Sequence, residues 1–189
     1  MLASDTKFST GYSAEASPPD IISRMNESAQ TGRVLDQQTA AFIQRHVSIN
    51  LATTDTDNRP AVTRVFGCKL APNNSSLTLF ISSEHNQTVL DNILATHAIA
   101  VVFSRPSTHK TIQLKGTDAR LVSLEKQDYL LMKAYRDSMI EELQGIGYPP
   151  SFTEAMILPP ETLDTGVCFT PLNAYSQTPG PDAGKKLPV

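Results

Sequence analysis

Short apolar stretches alternate with clusters of turn residues through the middle of the chain. Three such stretches, VSINLAT, AVTRVFGCKL and LTLFIS, follow one another between residues 47 and 82. Turn-forming Asp, Asn, Pro and Ser residues separate them, and connections this short are typical of hairpins. The pattern therefore predicts three antiparallel strands, at 47–53, 61–70 and 77–82.

Three further strands are predicted in the second half of the chain. Residues 98–104 are almost all apolar, which indicates a strand buried on both faces. Residues 111–122 predict a long strand with a bulge or bend at Gly116, and 166–176 predict the last strand. The tail TPGPDAGKKLPV is predicted to have no regular structure.

Helical spacing of apolar residues appears in three places between these strands. It predicts helices from an Asp36 N-cap to about residue 46, from 86 to about 96, and from a Ser123 cap to about 144. The third helix carries an apolar stripe of Leu131, Tyr135, Met139 and Leu143. Six strands without alternating βαβ units predict a small, mainly antiparallel barrel with helices over its openings.

The chain divides into an arm and one folded domain. Ser, Thr and Ala are frequent in the first 19 residues, which end in two prolines. We expect residues 1–35 to form an N-terminal arm, in which 21–25 could make a short helix, and residues 36–189 to form the domain.

Composition excludes several classes of function. The 189 residues carry 16 Lys and Arg against 19 Asp and Glu, and a chain without positive excess is a poor general binder of nucleic acids or anionic membranes. The longest apolar run, 98–103, is far shorter than the roughly 20 residues of a membrane helix. The first residues lack an apolar signal segment, so we expect a cytoplasmic protein. Neither the two cysteines nor the four histidines have metal-ligand spacing, and no metal site is predicted.

Arg64 is the most informative single residue. Alternation along 61–70 places it on one face with apolar neighbours such as Val62 and Phe66. A guanidinium on an apolar face is costly unless it meets an anion or leaves the core. Arg64 therefore binds a phosphate or carboxylate of a ligand, or else forms an internal salt bridge or extends past the strand end.

Two further segments have polar residues where a ligand could bind. Residues 82–87, SSEHNQ, join a strand to a helix, whose free N–H groups attract anions, although Ser83 or Asn86 could simply cap that helix. Residues 105–111 form a basic link, after which Thr111, Gln113 and Lys115 share one face of a strand that lines a site or faces water. No catalytic constellation is present, so catalytic residues stay unassigned and redox chemistry would need a bound cofactor.

Several segments, taken in order, resemble the pyridoxamine 5′-phosphate oxidase-like family of FMN-binding split barrels. They are DTDNRPAVTRVFG, LTLFISSEHNQTVLDNI, AVVFSRP, KTIQLKG and QTPGPDAG, and the resemblance covers about residues 36–122 and a stretch near the C-terminus. It implies a mainly β fold, a six-stranded antiparallel split β-barrel with flanking helices. It also implies a homodimer with two flavin sites at the dimer interface.

The resemblance also implies which residues bind the cofactor. Carried over by position, FMN would contact Arg64, Val65, Phe66, Ser82, Ser83, Gln87, Lys110 and Thr111. Flavin-binding members often carry an Arg-Lys pair where this chain has Gln87 and Thr88. Losing two cations should weaken FMN binding by a few kcal/mol, at ~1.5–3 kcal/mol per charged hydrogen bond, unless Arg64, Arg105, Lys110 or Lys115 compensates.

Three functions are compatible with these features. The first is an FMN-dependent oxidoreductase acting on an unknown small molecule; the tail does not look like that of the vitamin B6 enzyme, so we expect a relative of it. The second is a non-enzymatic protein that binds flavin or haem, with His85, His97 or His109 as axial ligand. The third is a reductase dependent on the deazaflavin F420. The Gln87-Thr88 departure favours the second and third, whereas Arg64 fits all three.

Overall fold

The structure, a computed structural model, describes residues 34–84, 86–157 and 162–189, which belong to one unit spanning 33–189. The predicted short helix at 21–25 and nearly all of the predicted arm lie outside the described residues. No helix among the described residues is both long and apolar enough to cross a membrane.

Ten strands form two antiparallel sheets. In chain order the elements are α1 (Gln37–Ile43), β1 (Ser48–Thr54), β2 (Pro60–Val65), β3 (Cys68–Leu70), β4 (Leu77–Ile81), α2 (Gln87–Thr96), β5 (Ile99–Ser104), β6 (Thr111–Gly116), β7 (Arg120–Ser123), α3 (Lys126–Gly145), α4 (Pro150–Met156), β8 (Thr165–Phe169), β9 (Asn173–Ser176) and β10 (Lys186–Leu187). The six-stranded sheet has the order β10-β9-β6-β5-β1-β2, and the four-stranded sheet has the order β3-β4-β8-β7. The prediction of a mainly β, antiparallel split barrel is confirmed.

Three predicted strands are each divided between the two sheets. Residues 61–70 break into β2 and β3, 111–122 into β6 and β7, and 166–176 into β8 and β9, and in each case the two halves lie in different sheets. The prediction of continuous strands was wrong because apolar alternation reports which face a residue takes, not the direction of the strand. Gly116 ends β6, so it marks a change of sheet.

The break between β2 and β3 is built around Gly67. The Phe66 N–H donates to the Phe80 carbonyl at 2.8 Å, and the Phe80 N–H donates to the Gly67 carbonyl at 3.0 Å. Two residues thus oppose one, which is the pattern of a β-bulge. Gly67 has φ +125°, and a Cβ there would lie 3.2 Å from the Phe80 ring and 3.3 Å from the Tyr135 Cβ. Glycine therefore allows β2, β4 and α3 to meet.

The six-stranded sheet has one core face and one outer face. Alternate residues of β1, β5 and β6 are buried in the core, among them Ile49, Val101 and Leu114. The residues between them are half-buried or exposed. The prediction that 98–104 is buried on both faces was therefore wrong, since Ala100 and Val102 lie on the outer face.

Capping residues and the spacing of apolar residues predicted the three helices, although the helices begin and end at somewhat different residues than predicted. Asp36 is the N-cap of α1, and its carboxylate accepts the Gln38 and Thr39 N–H groups. The N-cap of α3 is Glu125 rather than Ser123, because Glu125 and Asp128 form a capping box. Asp128 also pairs with Lys69 of β3 at 2.7 Å, which ties α3 to the four-stranded sheet. In the predicted stripe of α3, Leu131 is largely exposed, whereas its other three members are buried.

The C-terminal tail contains a strand, contrary to prediction. Lys186 and Leu187 pair with Tyr175 and Ala174 of β9, after a turn closed by the Gly184 N–H and the Ser176 carbonyl at 2.7 Å. A two-residue strand between Gly and Pro residues has too few positions to show a period, so its sequence carries no strand signal.

Replacing Gly67 by alanine should destabilise the protein by about 2–4 kcal/mol, from the unfavourable φ and the close contacts of the new Cβ. The matched control is Gly145→Ala, where a Cβ meets nothing within 4 Å; we expect it to be neutral or to stabilise α3 by up to about 1 kcal/mol. Urea unfolding followed by circular dichroism measures both. Equal effects of the two substitutions would contradict the proposed role of Gly67.

Candidate functional site

Arg64 lies on the outer face of the six-stranded sheet. Its register partner on β1 is Asn50, and the same row continues through Val102 and Gln113 to Tyr175. Among the described residues its half-buried side chain forms no ion pair and no hydrogen bond of normal geometry. The internal salt bridge that the sequence left open is therefore not formed within this part of the chain, and the positive charge has no protein counter-ion there.

Tyr135 of α3 lies against Arg64. Its side chain is 4% exposed, and its hydroxyl, like the Arg64 Nε, is buried without a partner in ordinary hydrogen-bond geometry among the described residues, although the Arg64 side chain and the Ile49 backbone lie close enough for weaker polar contacts with the hydroxyl. Burial raises the pKa of Tyr135 to about 12, although the nearby Arg64 charge acts in the opposite direction. Sequence reasoning placed Tyr135 in the core stripe of α3 and missed this neighbour, because their contact depends on how α3 packs on the sheets.

The two residues that follow Arg64 have different environments. Val65 is fully buried and points into the core, so its side chain cannot reach a ligand on the outer face. Phe66 is half-buried and lines a cleft of about 230 Å³. The other residues of this cleft come from α3 and from the segment before β8: Tyr129, Met132, Lys133, Tyr135, Arg136, Ile157 and Leu163.

The end of β4 lies beside this region, because Phe66 and Gly67 are hydrogen-bonded to Phe80. Ser82 is 2% exposed, and its hydroxyl accepts the Glu84 N–H at 3.2 Å. Gln87 is exposed and donates to Asp91 at 2.8 Å. Asn86 is the N-cap of α2 but its side chain makes no capping hydrogen bond, so the first N–H groups of α2 have no side-chain cap. Neither Ser83 nor Asn86 caps α2 in the way the sequence suggested.

Ser83 instead binds a carboxylate that sequence reasoning missed. Its N–H and hydroxyl donate to Asp164 at 2.9 and 2.5 Å. These hydrogen bonds hold the pKa of Asp164 below its usual value. The two residues are 81 positions apart, and the pairing of Ile81 with Thr165 brings them together. Both Ser83 donors are therefore occupied by a negative charge, which competes with any ligand anion.

Lys110 and Thr111 lie at a different part of the six-stranded sheet. The Thr111 N–H donates to Thr178 at 3.0 Å, and the Lys110 Nζ lies 4.7 Å from the centre of the Phe42 ring. Lys110, Thr111 and Thr178 line a separate cleft of about 260 Å³. From β2 to β6 is three strand spacings, roughly 14 Å at ~4.8 Å each. Arg64 and Lys110 therefore lie at different parts of the six-stranded sheet.

Of the candidate haem ligands, His85 lies outside the described residues. His97 ends α2, and its Nδ1 is 2.9 Å from the Ala119 carbonyl oxygen. His109 lies in the loop between β5 and β6 with φ +57°. Within the described ranges, no three His, Cys, Asp or Glu side chains group in a way that could hold a metal ion.

The comparisons with known proteins address the family and the general fold. A family model described as pyridoxamine 5′-phosphate oxidase matches residues 35–159, more than half of the chain. A search of curated proteins gave no match.

Similar solved structures include HupZ of Group A Streptococcus, at 15% identity over 80% of this chain and 100% of that chain, with a TM-score of 0.48. An F420 reductase is 16% identical over 74% of this chain and 98% of that chain, with a TM-score of 0.48. A pyridoxamine 5′-phosphate oxidase-related, FMN-binding protein of Nostoc punctiforme is 15% identical over 89% of both chains, with a TM-score of 0.40. Identities this low say nothing about which ligand this chain binds.

Substituting Asp164 by asparagine should lower stability at neutral pH by at most about 1 kcal/mol, since the hydrogen bonds to Ser83 are exposed to solvent. A carboxyl with a lowered folded-state pKa stabilises the protein above its ordinary pKa and loses this effect as the pH falls through the folded value. The gap between wild type and variant should therefore narrow as the pH is lowered from neutral to below 3.8, the ordinary pKa of this carboxyl.

Thermal unfolding at neutral pH and in acid measures the stability difference between wild type and Asp164→Asn. Asp182→Asn is the control, because that exposed carboxylate has only a 3.9 Å pair with Lys185. A gap for Asp164→Asn that persists unchanged in acid would show that the Ser83 contact is not its source.

Proposed function

Because the chain belongs to the pyridoxamine 5′-phosphate oxidase family, we propose that it is an FMN-binding flavoprotein and an oxidoreductase acting on a small molecule. The observation that carries the proposal is Arg64, a half-buried guanidinium without a counter-ion among the described residues. It lies beside Phe66 and the end of β4, where the family resemblance expects the cofactor. An unpaired arginine is suited to a phosphate, which its planar donors can bind in two places at once.

The charge balance around Arg64 predicts modest affinity. The Arg-Lys pair of flavin-binding members is absent, and Gln87, at the first of these positions, is exposed and bonded to Asp91. The Asp164 carboxylate accepts a hydrogen bond from Ser83, and its negative charge there would repel a phosphate. The uncapped N-terminus of α2 offers N–H groups that attract an anion. We propose that Arg64 and α2 supply most of the attraction for the phosphate.

FMN, when bound, supplies hydride-transfer chemistry at its ring. In the proposed site Arg64 binds the phosphate and the Phe66 ring shields one side of the ligand from water. The largely apolar cleft beside Phe66 would receive the substrate, since it adjoins the proposed cofactor position and contains Tyr129 and Met132. Lys133 and Arg136 also line this cleft, but both lie near the Asp137 carboxylate, at 2.8 and 4.0 Å, which offsets part of their attraction for an acidic substrate.

The second candidate function involves a cofactor whose anionic groups do not lie beside Ser83. The observation that favours it is the pair formed by Asp164 and Ser83, which opposes a phosphate at that point. The deazaflavin F420 or a non-catalytic flavin or haem ligand would then occupy the outer face. The hydrogen bond between the His97 Nδ1 and the Ala119 carbonyl leaves Nε2 as the ring nitrogen that could bind a haem iron.

We also propose that a second copy covers the outer face of the six-stranded sheet. Val62 is 65% exposed, and its row continues through Ala52 and Ala100, which leaves a row of small apolar side chains on that face. A shallow cleft of about 340 Å³ lies on the same face and includes both alanines. A dimer formed here would place the two Arg64 residues at the interface and could bring Lys110 of the partner nearer to a shared ligand.

Replacing Arg64 by alanine should raise the Kd for FMN by tenfold or more, as expected for losing one or more charged hydrogen bonds of ~1.5–3 kcal/mol each. Arg120→Ala is the matched control, an exposed arginine on β7 of the other sheet. Quenching of flavin fluorescence gives both constants. An unchanged Kd in Arg64→Ala would place the phosphate elsewhere. If wild-type protein does not bind FMN, titrations with F420 and haemin distinguish the remaining candidates.

Replacing Val62 by lysine should convert a dimer into a monomer and weaken FMN binding, because a charge would be buried in the apolar interface. Leu130→Lys is the control, since Leu130 is 71% exposed on α3 and lies outside the proposed interface. Sedimentation equilibrium with and without FMN measures both effects. A monomeric wild type, or a Val62→Lys variant that remains dimeric, would rule out this interface.

A further inference from the structure

Arg64 and Tyr135 share an incomplete contact. The Arg64 Nε and the Tyr135 hydroxyl are both buried, and neither has a hydrogen-bond partner among the described residues. The two groups are close enough for the guanidinium to influence the phenol. A buried polar atom without a partner destabilises the arrangement that contains it. Two such atoms close together indicate that the arrangement becomes more favourable when a ligand binds beside them.

The ring of Tyr135 does not need its hydroxyl for packing. Its Cβ lies against Gly67, within a stripe that continues through Met139 and Leu143 into the core. Phenylalanine would fill the same space without burying an unpaired hydroxyl, and interiors strongly disfavour such groups. The hydroxyl is therefore explained by its polar neighbours, the Arg64 side chain and the Ile49 backbone, rather than by packing in the core.

The two ends of the Arg64 guanidinium have different surroundings. Nε is buried, and Tyr135 lies beside the Arg64 side chain, whereas the terminal nitrogens are not among the buried unpartnered atoms of the described residues. Arginine binds an anion most specifically when two parallel N–H groups meet two oxygens. A group that holds Nε would fix the plane of the guanidinium and leave the terminal nitrogens for the ligand.

We infer that Tyr135 is a positioning residue for Arg64. In the ligand-bound protein its hydroxyl oxygen accepts the Nε–H, so that the terminal nitrogens bind the anionic group of the ligand. This inference rests on the proposed function, in which that anionic group is the FMN phosphate. It adds α3 to the cofactor site, for which the resemblance had named no residue of that helix.

The test compares FMN with riboflavin, which has the same ring but no phosphate. In Tyr135→Phe the Kd for FMN should rise about five- to tenfold, as for one lost hydrogen bond, while the Kd for riboflavin stays unchanged. Arg64→Ala should abolish the preference for FMN, and Tyr135→Phe should have no further effect in that background, as in a double-mutant cycle. Tyr148→Phe is the control and should change neither Kd, because Tyr148 is exposed just beyond the end of α3, stacks on Phe152 and does not line this cleft.

A loss of riboflavin affinity equal to the loss of FMN affinity would mean that Tyr135 only supports the fold, and would overturn the inference. A separate arm uses inorganic phosphate and the melting temperature, so that it does not depend on flavin binding. Phosphate should stabilise the wild type, fail to stabilise Arg64→Ala, and stabilise Tyr135→Phe less. If FMN does not bind but this phosphate pattern holds, the proposed function fails and the positioning role stands. If wild type binds neither FMN nor phosphate, both are wrong.

Discussion

The candidate site depends on the absence of a side chain at residue 67. The chain leaves the six-stranded sheet there, and two backbone hydrogen bonds to Phe80 hold the departure in place. The helix α3 approaches closely enough for the Cβ of Tyr135 to lie 3.3 Å from the position of a Cβ on Gly67. Arg64, Phe66 and Tyr135, which come from different parts of the chain, are brought together by this one bend. A straight strand through residues 61–70 would have kept α3 away from Arg64.

The electrostatics of the site are set by a cation without a protein partner and by a carboxylate near the end of β4. Arg64 is half-buried, so its charge is screened by water less than that of an exposed arginine. Asp164 accepts hydrogen bonds from both donors of Ser83 and brings a negative charge to the end of β4 in the four-stranded sheet. These two charges favour an anion close to Arg64 and disfavour one close to Ser83. The proposed phosphate position is therefore nearer to Arg64 than to Ser83.

Helix caps and turns could be predicted from the sequence, because they depend on residues that are close together in the chain. The Asp36 cap of α1 and the turn at 55–60 rest on side chains that bond within a few positions, and both are confirmed. A bulge or bend was predicted at Gly116, but a change of sheet was predicted neither there nor at Gly67. The reason is that the alternation of apolar residues continues through a bend. The partner of Ser83 lies 81 residues away and the neighbour of Arg64 lies on α3, so only the tertiary fold could reveal either. Alternation along residues 61–70 singled out Arg64 as an unusual residue, although the bend at Gly67 interrupts the face on which that alternation placed it.

The position of β8 affects how the protein folds. This strand lies in the middle of the four-stranded sheet, between β4 and β7, although it is formed by residues 165–169. The hairpins β1–β2 and β5–β6 need only local chain closure, whereas β4 and β8 must meet across a loop of more than eighty residues. Long-range pairings of this kind slow folding, since the entropy of closing the loop is lost before the contacts form. The hairpins should therefore form early, and the end of β4, with Ser83 and Asp164, should be among the last parts to reach its native arrangement.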